Sequence, residues 1–291
     1  MKLCIVIRQL GAGGAERVAA TLANYWAEIG WDVTFITLAD DNGDFYRLDS
    51  SVRRIALNLD NPNNPLYKRV YQFLLVPNAL RRILKKYNPQ VAMAFMPVSN
   101  IFCSLSCVGT NTIAVGSEHS HPPIVPLGKI WKFLCWLMYP GLAAVSVLTP
   151  SSADWMRKQK RAVKVSVIPN PLTWPLPDME PKLSPSEILV NLSGSRLLLA
   201  VGRLGHEKGF DRLLAAFAKL KARHPDWHLV ILGEGDLRNN LQRQRDELGL
   251  QGCVAFPGIA GNIGEWYEIA DAYVLTSRFE GLPNTLIESL A

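Results

Sequence analysis

At 291 residues, with 48% apolar and 19% charged side chains and a formal net charge of +6, the chain is long enough for two domains with separate cores and too apolar for a disordered polymer. Its five cysteines (Cys4, Cys103, Cys107, Cys135, Cys253) are odd in number and scattered. Cys103 and Cys107 have helical spacing but neither a second pair nor a neighbouring His, which excludes a recognisable zinc site and favours buried thiols in a reducing cytoplasm.

The first half reads as strand, glycine turn, helix, strand. "KLCIVI" is a β-type run; Arg8 and a glycine loop interrupt it before a signal-peptide core develops. "GAGGAER" follows, then "ERVAATLANYWAEIG" with apolar residues at three- and four-residue spacings and Gly30 as a stop, then the strand "DVTFITL". Tyr67 to Tyr87 mixes basic and apolar residues with helical periodicity. Such a segment can lie against an anionic membrane surface, and equally it can be a solvated basic face over an ordinary core face. Residues 1–172 hold 19 basic against 10 acidic side chains, and residues 173–291 hold 12 against 15. No nucleic-acid motif accompanies the basic excess, so nucleic acid is not an expected partner.

Further apolar runs at "VAMAFM", "TIAVGS", "AAVSVLTP" and "KVSVIPN" extend the alternation. The stretch from Phe133 to Pro150 is long and uncharged, but Pro140 and Gly141 divide it, which predicts a buried helix followed by a buried strand instead of a membrane span. Five prolines between Pro171 and Pro185 then predict a linker over 171–195. Beyond it the pattern restarts: strand "RLLLAVGR", helix "GFDRLLAAFAKLKARHP", strand "HLVILGEG", helix "LRNNLQRQRDELGL", strand "CVAFPG", a short helix near "IGEWYEIA", strand "AYVLTS", and a last helix beginning near Pro283 or Asn284. The expected fold is α/β: two doubly wound Rossmann-like domains, 1–170 and 196–291, facing across a cleft, the second incomplete.

Glycines between a first strand and its helix let the backbone approach an anionic ligand, but Glu16 stands where a dinucleotide fingerprint needs its third glycine, and Asp40 or Asp41 comes late for the ribose acid. In the second half Arg203 and Lys208 sit five residues apart on a turn between a strand and a helix, where two cations would neutralise a diphosphate. "LGEG" ends the next strand with Gly233 and Gly235, again permitting close backbone approach. Glu280 and Glu288 flank the turn Gly281-Leu282-Pro283-Asn284; carboxylates are good acceptors for paired sugar hydroxyls. The order Arg203, Lys208, Glu280, Glu288 on consecutive strand ends suits a nucleotide-sugar. The chain contains no Asp-x-Asp.

The motifs "GGAER" (13–17), "SEHS" (117–120), "VLTPSS" (147–152), "VIPNP" (167–171), "VGRLGHEKGFD" (201–211), "ILGEG" (231–235) and "FEGLPNTLIESLA" resemble those of the retaining GT-B glycosyltransferases of the GT4, or group 1, family, and the resemblance runs almost end to end. It implies that Arg203 and Lys208 bind the donor diphosphate and stabilise it as a leaving group. It implies that Glu280 contacts the donor sugar and Glu288 the ribose hydroxyls. Backbone amides around the turn Gly281-Leu282-Pro283-Asn284, other than that of Pro283, would help hold sugar and phosphate, Gly13 and Gly14 would let the first loop close near the diphosphate or acceptor, and His119 would contact a hydroxyl of the transferred sugar. The implied reaction moves a sugar, from a UDP-sugar donor, to a saccharide or polyprenyl-linked saccharide in bacterial cell-surface polysaccharide assembly, in the cytoplasm or peripherally on the inner face of the plasma membrane. Many glycosyltransferases hold a divalent metal with Asp-x-Asp; without that motif here, the resemblance implies that Arg203 and Lys208 do the metal's work and that no metal cofactor is needed.

Members of that family continue past the second glutamate, so the resemblance also implies a C-terminally shortened chain. Two rival readings stand beside it: a non-catalytic sugar-nucleotide- or membrane-binding remnant, and an NAD-dependent oxidoreductase built on the first glycine loop.

Overall fold

The computed structural model describes residues 1–60, 66–119, 128–159, 164–190 and 195–291, with the side chains of helix residues 66–73 outside that description. The chain divides into two compact units, Met1–Pro171 and Leu172–Ala291.

In the first unit the elements follow as β1 (Lys2–Ile7), α1 (Gly14–Glu28), β2 (Asp32–Thr37), β3 (Arg53–Ala56), α2 (Leu66–Tyr87), β4 (Val91–Phe95), α3 (Pro97–Cys107), β5 (Ile113–Glu118), α4 (Lys129–Met138), β6 (Ala144–Val147), α5 (Pro150–Lys158) and β7 (Lys164–Val167). Among the described residues seven strands form one sheet in the order β3-β2-β1-β4-β5-β6-β7, and every pair is parallel. A parallel strand covered on both faces carries no polar alternation, which is why β1 and β2 are buried at every residue after the first. On one face α1 packs Val18, Ala19 and Ala23 against Ile5, Val33 and Phe35. On the other, α2 to α5 share a core with Cys4, Val6, Ala92 and Val145.

α3 lies between α2 and α4 in that helical layer and is buried almost all round. Three of its polar residues are bonded internally: Ser106 Oγ donates to the Phe102 carbonyl at 2.6 Å, Ser104 Oγ to that of Met138 at 2.6 Å, and Asn100 Nδ2 to Glu118 Oε1 at 2.9 Å, while the buried Ser99 hydroxyl has no hydrogen-bond partner among the described residues. Tyr139 also donates to Glu118, so the buried carboxylate of the "SEHS" motif ties β5 to α3 and to the turn after α4. In "VLTPSS", Thr149 caps α5 by accepting from the Ser152 amide at 3.3 Å, with Pro150 in the first helical turn.

The second unit contains α6 (Pro185–Leu189), β8 (Arg196–Val201), α7 (Phe210–Arg223), β9 (Trp227–Leu232), α8 (Arg238–Glu247), β10 (Val254–Gly258), α9 (Ile263–Ile269), β11 (Ala272–Tyr273) and α10 (Asn284–Ser289). Its described strands form a parallel sheet in the order β10-β9-β8-β11. α7 shows the amphipathic spacing plainly: Phe210, Leu213, Leu214 and Phe217 enter one core with Leu229 and Ile231.

Two expectations need correction, and one strand was not anticipated. The expected linker 171–195 is not free where it is described, because Leu176, Leu183, Ile188 and Leu189 pack against the β8–β9 core and Asn262 brackets Leu183 with two hydrogen bonds of 2.9 and 3.0 Å; its residues 191–194 lie outside the described residues. The prolines stop it from joining the sheet without preventing burial of its apolar side chains. The helix of Phe133–Pro150 is not buried: α4 sinks Cys135 and leaves Phe133, Trp136 and Leu137 in solvent, while β6 is buried as expected. The unanticipated β3 is a short edge strand whose two arginines hide its β character. The basic segment Tyr67–Tyr87 is helical; from Leu74 onward it packs Val76, Leu80 and Leu84 inward and exposes Arg82, Lys85 and Lys86. Ser120 of "SEHS" lies outside the described residues.

Candidate active site

In the second unit the chain winds from β8 outward through β9 to β10 and then returns to place β11 on the other side of β8. The boundary between β8 and β11 is thus a topological switch point, the place at the carboxyl ends of an open parallel sheet where ligands generally bind. The loop after β8 carries Arg203 and Lys208; the loop after β11 carries Glu280.

These loops are fastened to each other at several points. Lys208 Nζ donates to Glu280 Oε1 at 2.6 Å, and Ser277 Oγ donates to the same oxygen at 2.6 Å. Thr276 Oγ1 donates to the Lys208 carbonyl at 3.0 Å, and the Arg278 amide donates to the Glu207 carbonyl at 2.7 Å. Arg278 reaches back with its guanidinium to the His206 carbonyl at 2.7 Å and to both Asp211 oxygens at 2.8 and 2.6 Å. That hydrogen-bonded guanidinium is the main reason the Asp211 carboxyl sits below its usual range. Gly209 lets the loops approach: it holds φ +68°, and a Cβ there would overlap the Thr276 carbonyl.

Arg203 takes a different partner from Lys208. Its side chain bonds Glu207 Oε1 through Nε at 2.9 Å and Nη2 at 2.5 Å. Partial burial pushes the Glu207 carboxyl up, but a backbone hydrogen bond, the Arg203 hydrogen bond and the Arg203 and Lys208 charges outweigh it and hold it below the ordinary range. Each expected diphosphate cation therefore carries an internal carboxylate, which an arriving anion would have to displace or share.

Glu288 is buried on α10 with its Oε2 3.4 Å from the Tyr267 hydroxyl. Nearby, Tyr273 donates to Thr285 Oγ1 at 2.7 Å and meets Tyr267 edge-on at 5.7 Å; burial pushes the Tyr273 phenol up to about 12. The turn Gly281-Leu282-Pro283-Asn284 is half-buried and leads into α10 at Asn284.

The close approach expected at "LGEG" is made by protein backbone. A Cβ on Gly233 would overlap the Gly202 carbonyl and one on Gly235 the Leu204 backbone, so these glycines join the β9 end to the β8 end. At the first loop, Gly13 precedes Gly14 at the start of α1, and a Cβ on Gly13 would overlap the Glu16 carboxylate. Glu16 thus folds over the position where the NAD reading needs open backbone.

His119, in the first unit, follows β5 with Nε2 2.9 Å from Ser117 Oγ and its ring 5.2 Å from that of Phe95. Its buried Nδ1 has no hydrogen-bond partner among the described residues. Burial lowers the imidazole to about 4, so it is neutral at pH 7.

Sequence reasoning selected Arg203, Lys208, Glu280 and Glu288 but assigned nothing to Glu207, Asp211, Thr276, Ser277 or Arg278. Their only available signal was position, since each lies within four residues of a selected side chain.

Residues 12–173 match the family model Glycosyltransferase Family 4, and residues 186–291 match Glycosyl transferases group 1. A similar curated protein is the "GalNAc-alpha-(1->4)-GalNAc-alpha-(1->3)-diNAcBac-PP-undecaprenol alpha-1,4-N-acetyl-D-galactosaminyltransferase" of Campylobacter jejuni subsp. jejuni serotype O:2, 33% identical over 100% of this chain and 77% of its own length. Among solved structures, sucrose-phosphate synthase from Thermosynechococcus elongatus superposes with a TM-score of 0.83 at 20% identity, covering 100% of this chain and 79% of that one. Anabaena HepE in complex with UDP and glucose does so with a TM-score of 0.73 at 16% identity, covering 100% and 78%. With both halves matched and the Campylobacter relative covered over most of its length, the chain belongs to the family 4, group 1 glycosyltransferases and has their GT-B fold.

Proposed function

We propose that this hexosyltransferase-type enzyme transfers a sugar from a UDP-sugar to a lipid-linked saccharide at a membrane surface, during assembly of a cell-surface polysaccharide, with retention of anomeric configuration and without a metal ion. The observation that carries the reading is the Lys208–Glu280 pair at the β8/β11 switch point. When a nucleoside diphosphate leaves, negative charge grows on its phosphates, and fixed cations placed there lower the barrier by electrostatic stabilisation. Lys208 and Arg203 supply that charge; Glu280, steadied by Ser277, accepts hydrogen bonds from donor-sugar hydroxyls. Glu288 takes the ribose hydroxyls. The family resemblance supports a contact of His119 with the transferred sugar, and a neutral imidazole would make it by hydrogen bonding without adding charge.

UDP is favoured by the complex of HepE with UDP and glucose, and a lipid-linked acceptor by the undecaprenol in the name of the Campylobacter relative. Retention is supported by the family resemblance alone. The metal-free mechanism is supported by the two cations and by a sequence without Asp-x-Asp.

Calorimetry of the purified chain with UDP, GDP and NAD tests the donor side. Saturable UDP binding that Lys208→Ala abolishes is the expected result. NAD binding in preference to UDP, or UDP binding indifferent to Lys208, would overturn the assignment.

A further inference from the structure

α4 has two unlike faces. Trp131, Leu134, Cys135 and Met138 turn onto the core of the first unit. Ile130, Phe133, Trp136 and Leu137 turn outward and are 75%, 58%, 57% and 47% exposed. The rings of Phe133 and Trp136 stack on each other at 5.8 Å instead of against the core. Lys129 and Lys132 are exposed with them, and α4 has no acidic residue. At about 100° per residue the six outward residues occupy one continuous arc of about 160°.

Single exposed apolar residues are ordinary on a soluble surface; a run of four on one short helix, two of them aromatic, is a patch. Its composition suits the boundary between water and lipid. Trp and Phe settle among headgroups and upper acyl chains, while lysines lay their stems along the apolar surface and keep the ammonium in water beside lipid phosphates. The neighbourhood has the same sign: α2, which flanks α3 in the same helical layer as α4, exposes Arg82, Lys85 and Lys86. A two-fold pairing with a second copy fits less well, because it would bring lysines together with no carboxylate on the same face to answer them.

We propose that the outward face of α4 is a membrane-docking surface that inserts Ile130, Phe133, Trp136 and Leu137 into an anionic phospholipid bilayer, with Lys129 and Lys132 at the phosphates. This deepens the membrane-surface part of the function proposed above. It rests on that reading for its purpose, and the contact itself is independent of sugar transfer.

The test is sedimentation of the full 291-residue chain with vesicles of phosphatidylcholine, with and without phosphatidylglycerol, alongside calorimetric UDP binding and sedimentation velocity. The wild-type chain should partition onto the phosphatidylglycerol vesicles. The pair Phe133→Ser and Trp136→Ser should weaken partition by about tenfold or more. The pair Lys129→Ala and Lys132→Ala should weaken it by about tenfold at low salt and less at high salt. Both variants should keep the wild-type circular dichroism and UDP affinity. Partition unaffected by the aromatic pair, or lost only when Arg82, Lys85 and Lys86 of α2 are replaced by Ala, would overturn the assignment. So would a dimer that the aromatic pair dissociates. A chain that binds UDP but no vesicle refutes the docking surface and leaves the donor site standing; one that binds vesicles but no nucleotide does the reverse.

Discussion

Arg278 and Asp211 form a two-pronged pair, Nη1 to Oδ1 at 2.8 Å and Nη2 to Oδ2 at 2.6 Å, that clamps the loop after β11 to the first turn of α7. Neither residue is expected to touch the donor; both fix where Lys208 and Glu280 stand. A planar guanidinium meeting a carboxylate edge-on resists rotation as well as separation, so the clamp constrains loop orientation. Arg278→Ala should lower kcat/KM for sugar transfer by roughly ten- to a hundredfold, since small misplacements of binding groups are costly. Arg278→Lys should recover little, because a point charge cannot copy the fork. Steady-state kinetics with circular dichroism checks this: unchanged kinetics in a folded Arg278→Ala chain would show that the loops keep their register without the clamp.

The Lys208–Glu280 pair makes a sharper prediction. Both side chains are mostly shielded from water, so removing either leaves a partly buried charge without its partner. A double-mutant cycle of Lys208→Ala and Glu280→Ala, read by denaturant unfolding, should give a coupling of about 1–2 kcal/mol. Activity should behave differently. Lys208→Ala should cost on the order of a hundredfold or more in kcat by removing charge from the leaving group, and the double variant should regain stability without regaining rate. Recovery of rate in the double variant would mean that the pair serves folding alone.

How far the sequence could be read follows from the range of the forces involved. Glycine turns, strand runs and helical spacings are local, so the alternation of strand and helix was visible in "KLCIVI", "DVTFITL" and "GFDRLLAAFAKLKARHP". The position of β11 beside β8 is not local, and it brings Lys208 to Glu280 across 72 residues. Their residue types and order suggest one site, but their pairing across the sheet is set by the fold and is not written in the local sequence. The segment after Pro171 misled because proline density reports what a stretch cannot form, while the burial of Leu176 and Leu183 depends on an apolar face supplied by β8 and β9. Phe133–Pro150 misled in the opposite sense: hydropathy measures how apolar α4 is, and says nothing about which face the fold leaves uncovered. Gly233 and Gly235 were read as room for a ligand, since sequence alone does not show whether protein backbone fills it.

His119 predicts a pH dependence. Burial holds its folded pKa at about 4 against an ordinary 6.5, so between those values the unfolded chain binds more protons than the folded one. Stability therefore rises with pH across that window: the contribution is complete above about 6.5 and is lost as pH falls toward 4, amounting to at most roughly 3 kcal/mol. His119→Gln should flatten this part of the profile, measured by urea unfolding at a series of pH values. An unaltered slope in the variant would locate the proton uptake in other groups.

Gly209 offers the most direct test of how closely the two loops must meet. Its φ of +68° is left-handed, which costs an L-residue about 1–2 kcal/mol on its own, and an added Cβ would overlap the Thr276 carbonyl. Gly209→Ala should therefore destabilise the second unit by more than the backbone term alone, because the loop after β11 must move away. That displacement would stretch the bond from Thr276 Oγ1 to the Lys208 carbonyl and separate Glu280 from Lys208. UDP affinity should fall together with thermal stability. Gly249 supplies the control: it also has φ +68°, but its Cβ would meet nothing within 4 Å, so Gly249→Ala bears the backbone cost without the collision. If the two variants lose equal stability and both bind UDP like the wild-type chain, the close approach at Gly209 is not what holds the donor loops in place.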